Sequence, residues 1–97
     1  MEEKLRAHIF IEGRVQGVFF RENTRQKADE LGIFGWVRNL SDGRVEAILE
    51  GNRLEVEEMI KWLKKGPKFA KVEKIDIKLE KSSDGFQSFE IKYNSDF

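Results

Sequence analysis

The chain has 97 residues, with 18 Lys plus Arg balanced by 18 Asp plus Glu, and no cysteine. A formal charge of zero lacks the basic excess of a dedicated nucleic-acid binder, and the absence of thiols excludes disulfides and thiolate chemistry. No apolar run approaches the roughly 18 residues of a membrane span.

This length predicts one domain over 1–97. A hydrophobic fraction of 39%, with eight Phe and two Trp, is enough to bury a core without a metal or a cross-link. The start, "MEEKLRAHIF", is charged where a secretory leader is apolar, so the expectation is a cytosolic protein. The heavy, balanced charge fits an ion-paired thermophile surface, and it fits plain solubility as well.

In chain order, "LRAHIFIEG" alternates Leu5, Ala7, Ile9 and Ile11 against Arg6, His8, Phe10 and Glu12. Period two predicts a strand with one face in the core. A loop with Gly13 and Gly17 follows. Phe20, Thr24, Ala28 and Leu31 then recur at helical spacing, predicting a helix from about Arg21 to Leu31 that Gly32 stops. "FGWVRNL" and "RVEAILEG" read as two antiparallel strands joined by the turn "SDG". Asn52 and Glu55 form a capping-box-like start to a second helix. Val56, Met59, Ile60 and Leu63 are its expected buried stripe, and Gly66-Pro67 ends it. "KVEKIDIKLEK" is a fourth strand, and Phe89, Ile91 and Tyr93 mark a last edge segment. The order is that of a split βαβ, ferredoxin-like α+β fold: an antiparallel sheet of four to five strands with two helices on one face. Such a fold hosts many activities, so function rests on a site.

The candidate site is the stretch "GRVQGVFFR". Gly13 and Gly17 can take backbone conformations closed to other residues, letting successive N–H groups turn inward as an anion-binding concavity. The following helix N-terminus adds its own N–H groups and dipole. Arg21 sits in that first turn, where a cation is mildly unfavourable for the helix; a bound phosphate, held by the planar guanidinium fork, would justify it. Val15, Val18, Phe19 and Phe20 are expected to anchor the loop on the core. Spacing alone leaves a second reading open, ordinary turn glycines with a solvated Arg21. The loop matches neither of the common glycine-rich nucleotide signatures.

Asn39, just before the "SDG" turn, can both accept and donate hydrogen bonds and so orient a water beside an anion. Equally, an asparagine there can satisfy turn backbone groups. The one histidine, His8, reads as structural or exposed. No nucleophile–base pair and no metal-ligand spacing stands out. Trp62, just off the stripe of the second helix, reads as core.

Taken together, "GRVQGVFFR" and "GWVRNLSDGRVEAILEG" strongly resemble the acylphosphatase family. Gly13, Val15, Gln16, Gly17, Val18, Phe20 and Arg21 fill the family's first motif. Gly35, Trp36, Asn39, Gly43, Val45 and Gly51 fill its second. The resemblance covers essentially the whole chain, and only the terminal "NSDF" (94–97) extends past where many relatives end. It implies hydrolysis of the carboxyl–phosphate bond of acyl phosphates, with no cofactor, no metal and no phospho-enzyme. It implies that Arg21 binds the phosphoryl group, helped by loop N–H groups of Arg14, Val15, Gln16, Gly17, Val18, Phe19 and Phe20, and that Asn39 positions the attacking water. The expected partner is a small acyl phosphate, with phosphate or sulfate able to occupy the loop. Neither nucleic acid nor membrane is expected, and the expected state is a monomer. No group that would read the acyl portion is evident, which predicts broad acyl tolerance.

Three rivals share the fold. A phosphate-sensing or interaction domain without chemistry is one, though intact Arg21 and Asn39 argue against it. A single-stranded RNA binder is another; the third strand carries none of the aromatics that such a module stacks on bases, and Phe10 and Trp36 read as packing residues. The third is an acyl-phosphate or carbamoyl-phosphate domain serving a larger enzyme; the short length and the absence of a linker favour the expectation of a free-standing protein.

Overall fold

Strand alternation in the first segment does what period two requires. Ala7, Ile9 and Ile11 are fully buried, and Arg6, His8 and Phe10 lie half-buried on the opposite face. The computed structural model describes residues 3–93. Along it run β1 (Lys4–Arg14), α1 (Phe20–Leu31), β2 (Phe34–Asn39), β3 (Val45–Asn52), α2 (Arg53–Lys65), β4 (Lys71–Lys81) and β5 (Phe89–Lys92). The five strands form one sheet in the order β4-β1-β3-β2-β5. Both helices pack on the face that carries Ala7 and Ile9. From α1 they bury Phe20, Thr24 and Ala28, and from α2 Val56, Met59 and Leu63. The Thr24 hydroxyl is satisfied in the core by donating to the Phe20 carbonyl at 2.7 Å. Ile60 and Trp62 are half-buried against the same cluster.

β1, β2, β3 and β4 pair antiparallel, as expected. β5 departs from the antiparallel pattern: it joins β2 in parallel, Gly35 beside Phe89 and Val37 beside Ile91. The cause is topological. β4 and β5 occupy opposite edges, so segment 82–88 must cross the sheet, and β5 enters beside β2 running the same way. Arg6 holds that crossing by bonding the Ser83 hydroxyl and stacking 4.9 Å from the Phe86 ring. The α2 start also differs in detail. Asn52 has the extended backbone of an N-cap, but its side chain makes no cap hydrogen bond. The Arg53 N–H donates instead to the Glu3 carbonyl at 2.8 Å.

On the helix-free face, buried Glu46 is shared between His8, 2.6 Å from Nε2, and Arg38, whose Nε and Nη2 each lie 2.7 Å from Oε1. A buried carboxylate demands such partners. His8 is thereby accounted for as a structural residue. Phe10 and Trp36 lie on this face rather than in the core. Arg44 covers Phe10 at 4.8 Å, and Arg38 and Lys92 cover Trp36 at 5.2 and 4.6 Å.

Gly13 sets the exit of β1 toward the loop. The register between β1 and β4 shifts between Glu12 and Gly13, and Gly13 has φ 130°. A Cβ there would lie 2.1 Å from the Lys71 carbonyl oxygen. Gly13→Ala is therefore expected to lower unfolding free energy by about 2 kcal/mol or more, through backbone strain and clash together. Urea unfolding checks this; a change below about 0.5 kcal/mol would mean that β4 yields freely at the bulge.

Candidate active site

Between β1 and α1 the chain alternates between anchoring and presenting side chains. Val15 is fully buried, Val18 half-buried and Phe20 buried, so three of the four expected apolar anchors reach the core. Phe19 does not: it is 68% exposed. Its backbone is left-handed, φ 62°, and that turn swings its side chain outward between Val18 and Phe20. A bulky residue in this region is a genuine outlier. The Phe19 carbonyl is held by Asn23 twice, from the backbone N–H at 3.1 Å and from the side-chain amide at 2.8 Å.

Gln16 ties the loop to the β2–β3 turn. Its amide nitrogen donates to the carbonyls of Leu40 at 2.8 Å and Arg44 at 2.9 Å. These two residues also bond to each other across the turn, Leu40 N–H to Arg44 carbonyl at 2.8 Å. The turn therefore holds a fixed position beside the loop, and with it Asn39, the last residue of β2.

The two segments enclose an open cavity of about 300 Å³, lined by Val15, Gly17, Phe19, Phe20, Arg21, Glu22 and Asn39. Arg21 and Asn39, far apart in sequence, thus share one wall-to-wall space. Among the described residues the Arg21 guanidinium has no hydrogen bond or ion pair; its contact is the Tyr93 ring, 5.1 Å from the centroid. The backbone N–H groups of Gln16, Gly17, Val18 and Phe19 donate to no described residue either. Asn39 Oδ1 is buried and has no hydrogen-bond partner among the described residues. Leaving a buried carbonyl oxygen unmade costs about 1–3 kcal/mol, and such orphans in a native fold call for an explanation.

Of the sequence-predicted residues, Arg21, Asn39, Val15, Gly17, Phe19 and Phe20 line the cavity. Arg14, the exposed last residue of β1, is not on its lining, and neither is half-buried Val18. Gln16 contributes its side chain to the brace just described. Two residues were not anticipated. Glu22 lines the cavity; its signal was its place in the first turn of α1, where an acid suits the helix dipole. Tyr93 stacks on Arg21, and nothing local to either residue announces that pairing. No cluster of three or more His, Cys, Asp or Glu able to hold a metal occurs among the described residues.

A guanidinium fork and four N–H groups without partners among the described residues, beside a helix N-terminus, are suited to a tetrahedral oxyanion. An amide oxygen on the same cavity lining can accept a hydrogen bond from a water. Comparison with known proteins agrees with this chemistry. The family model described as acylphosphatase matches residues 7–91. An acylphosphatase of Roseiflexus is 50% identical over 91 residues, covering 94% of this chain and 98% of the relative. One from Rubrobacter xylanophilus is 48% identical over 87 residues, covering 90% of this chain and 79% of the relative. The crystal structure of acylphosphatase from Bacillus subtilis superposes with a TM-score of 0.88 at 38% identity, covering 92% of this chain and 99% of that one.

Proposed function

The chain belongs to the acylphosphatase family, hydrolases that act on acyl phosphates, and on that premise we propose that Arg21 holds the substrate's phosphoryl group while Asn39 positions the water that attacks it. The observation that carries this division of roles is that Asn39, whose buried Oδ1 has no hydrogen-bond partner among the described residues, lines the same cavity as Arg21, whose guanidinium meets only the Tyr93 ring among them. Among the described residues the amide oxygen lacks a hydrogen-bond donor and the guanidinium lacks an anion. A phosphoryl group with an in-line water supplies both.

In the proposed reaction the three equatorial phosphoryl oxygens lie against the guanidinium and the N–H groups from Gln16 to Phe19. Asn39 Oδ1 accepts one O–H of the water and aims its lone pair at phosphorus. The new P–O bond forms as the bond from phosphorus to the carboxyl oxygen breaks, and the electron pair leaves on a carboxylate. The water's proton passes to a phosphoryl oxygen, so an acyl phosphate dianion and water give a carboxylate and dihydrogen phosphate. Phosphoryl transfer of this kind asks chiefly for positioning and charge stabilisation. The carboxylate is a good leaving group, so no general acid is needed. No metal or cofactor takes part in this scheme.

The reading extends to a cytosolic monomer acting on a small molecule, without nucleic-acid or membrane partners. Its support is the zero formal charge and the cations that already cover Phe10 and Trp36. No helix among the described residues is long and apolar enough to cross a membrane.

Benzoyl phosphate hydrolysis in excess chelator is the direct test. The expected result is turnover unchanged by the chelator. Phosphate binding by a folded protein that hydrolyses nothing would make the domain a phosphate sensor instead.

A further inference from the structure

Beside the phosphate cavity lies a second, wider depression of about 570 Å³, lined by Phe19, Glu22, Asn23, Lys68 and Phe69. The two share Phe19 and Glu22. Phe19 is 68% exposed and Phe69 60%, and both rings border this one depression. Exposed singly, such residues mean little; two aromatics on one concavity that opens onto a phosphate site mean more.

Both rings are held by their backbones. Phe19 sits in its left-handed conformation, clamped at the carbonyl by Asn23. Phe69 is at the tip of a turn closed by the Ala70 N–H donating to the Pro67 carbonyl at 3.0 Å. The Lys68 ammonium lies 5.6 Å from the Phe69 ring centroid. The left-handed strain at Phe19 is of a kind that persists where the surrounding structure over-determines it and that clusters at ligand clamps.

We infer that this depression is the acyl subsite, with Phe19 and Phe69 as its walls and a bulky apolar or aromatic acyl group as its occupant. The inference rests on the phosphoryl assignment above. With the phosphoryl group against Arg21, the acyl group begins a few bonds away, and Phe19 is the aromatic residue common to both spaces. An aromatic acyl group there gains ring–ring contact and apolar burial that an acetyl group is too small to make. The expectation of broad acyl tolerance, drawn from the sequence, gives way to a graded preference for large acyl groups. Phe69 becomes a specificity-determining residue outside the phosphate cavity.

The test is kcat/KM for benzoyl phosphate and for acetyl phosphate, measured on the wild-type protein, Phe69→Ala and Phe69→Leu. The wild type is expected to favour benzoyl phosphate. Phe69→Ala is expected to lower the benzoyl-to-acetyl ratio roughly tenfold, mostly through KM, in line with the contact differences that apolar pockets read. Phe69→Leu, which keeps an apolar wall, is expected to retain most of the ratio. An exposed turn residue is not a folding risk, and circular dichroism verifies that. If Phe69→Ala leaves the ratio within about twofold of wild type, or depresses both substrates equally, the subsite is wrong while the reaction stands. If the wild-type protein hydrolyses neither substrate, the reaction falls, and the subsite falls with it.

Discussion

Alanine in place of Arg21 is expected to reduce kcat for benzoyl phosphate by about 10³- to 10⁵-fold, the range in which an arginine acts on a transferring phosphoryl group. That corresponds to roughly 4–7 kcal/mol of barrier. The fold is expected to survive almost unchanged. Among the described residues the guanidinium is engaged with the Tyr93 ring and with no acid, a contact worth about 0.5–1 kcal/mol at an exposed site. Against that stands the cost of a cation in the first turn of α1, where the dipole is already positive. The two nearly offset each other. Arg21→Lys separates charge from geometry, because an ammonium keeps the charge and loses the planar fork; its turnover is expected to fall between wild type and Arg21→Ala. Steady-state kinetics beside urea unfolding reads all of this. Retention by Arg21→Ala of more than about a tenth of wild-type turnover would sink the role, since roughly 1.4 kcal/mol is too little for the main phosphoryl clamp.

Asn39→Ala is expected to show the complementary pattern: kcat falls by about 10²- to 10³-fold, the worth of one oriented polar group, and KM moves little. Asn39 is assigned to the water and Arg21 to the phosphoryl group, so ground-state binding of the substrate does not depend on the amide. Stability is expected to hold or rise. The wild-type protein carries at Oδ1 a buried oxygen with no partner among the described residues, and the truncated side chain removes that burden, about 1–3 kcal/mol in other proteins. A variant that loses activity and gains stability is the signature of a group retained for chemistry. If instead KM rises in step with the loss of kcat/KM while kcat holds, Asn39 grips the substrate and the water needs another partner.

Much of this was legible in the sequence, for reasons that can be named residue by residue. Alternation in β1 and the 3.6-residue spacing in α1 and α2 each reflect one face meeting one core. Ala7, Ile9, Phe20, Ala28, Val56 and Leu63 are accordingly buried where the pattern put them. Arg21 and Asn39 were legible through two long motifs, although neither residue's spacing alone distinguished an anion site from a turn. What escaped was non-local or conformational. The parallel entry of β5 depends on where β4 lies in the finished sheet, which strand periodicity does not encode. The outward turn of Phe19 depends on one left-handed residue, and nothing in "VFFR" separates Phe19 from Phe20 as the one to be buried. The brace from Gln16 to Leu40 and Arg44 spans two loops that meet only in the folded chain. So does the aromatic pair Phe19 and Phe69, whose members belong to different connections.

The position of β4 at the sheet edge carries a consequence for how copies of this protein meet. Eleven residues long, it has no strand partner on its outer side among the described residues, and a long open edge is a template for intermolecular β-pairing and aggregation. Its charges run Lys71, Glu73, Lys74, Asp76, Lys78, Glu80, Lys81. When two copies approach edge to edge, antiparallel and centred on Asp76, Lys71 faces Lys81, Lys74 faces Lys78, and Asp76 faces its own duplicate. Like charges directly opposite one another destabilise a strand pair. In that register the near-palindrome of charge in "KVEKIDIKLEK" works against the pairing of two such edges.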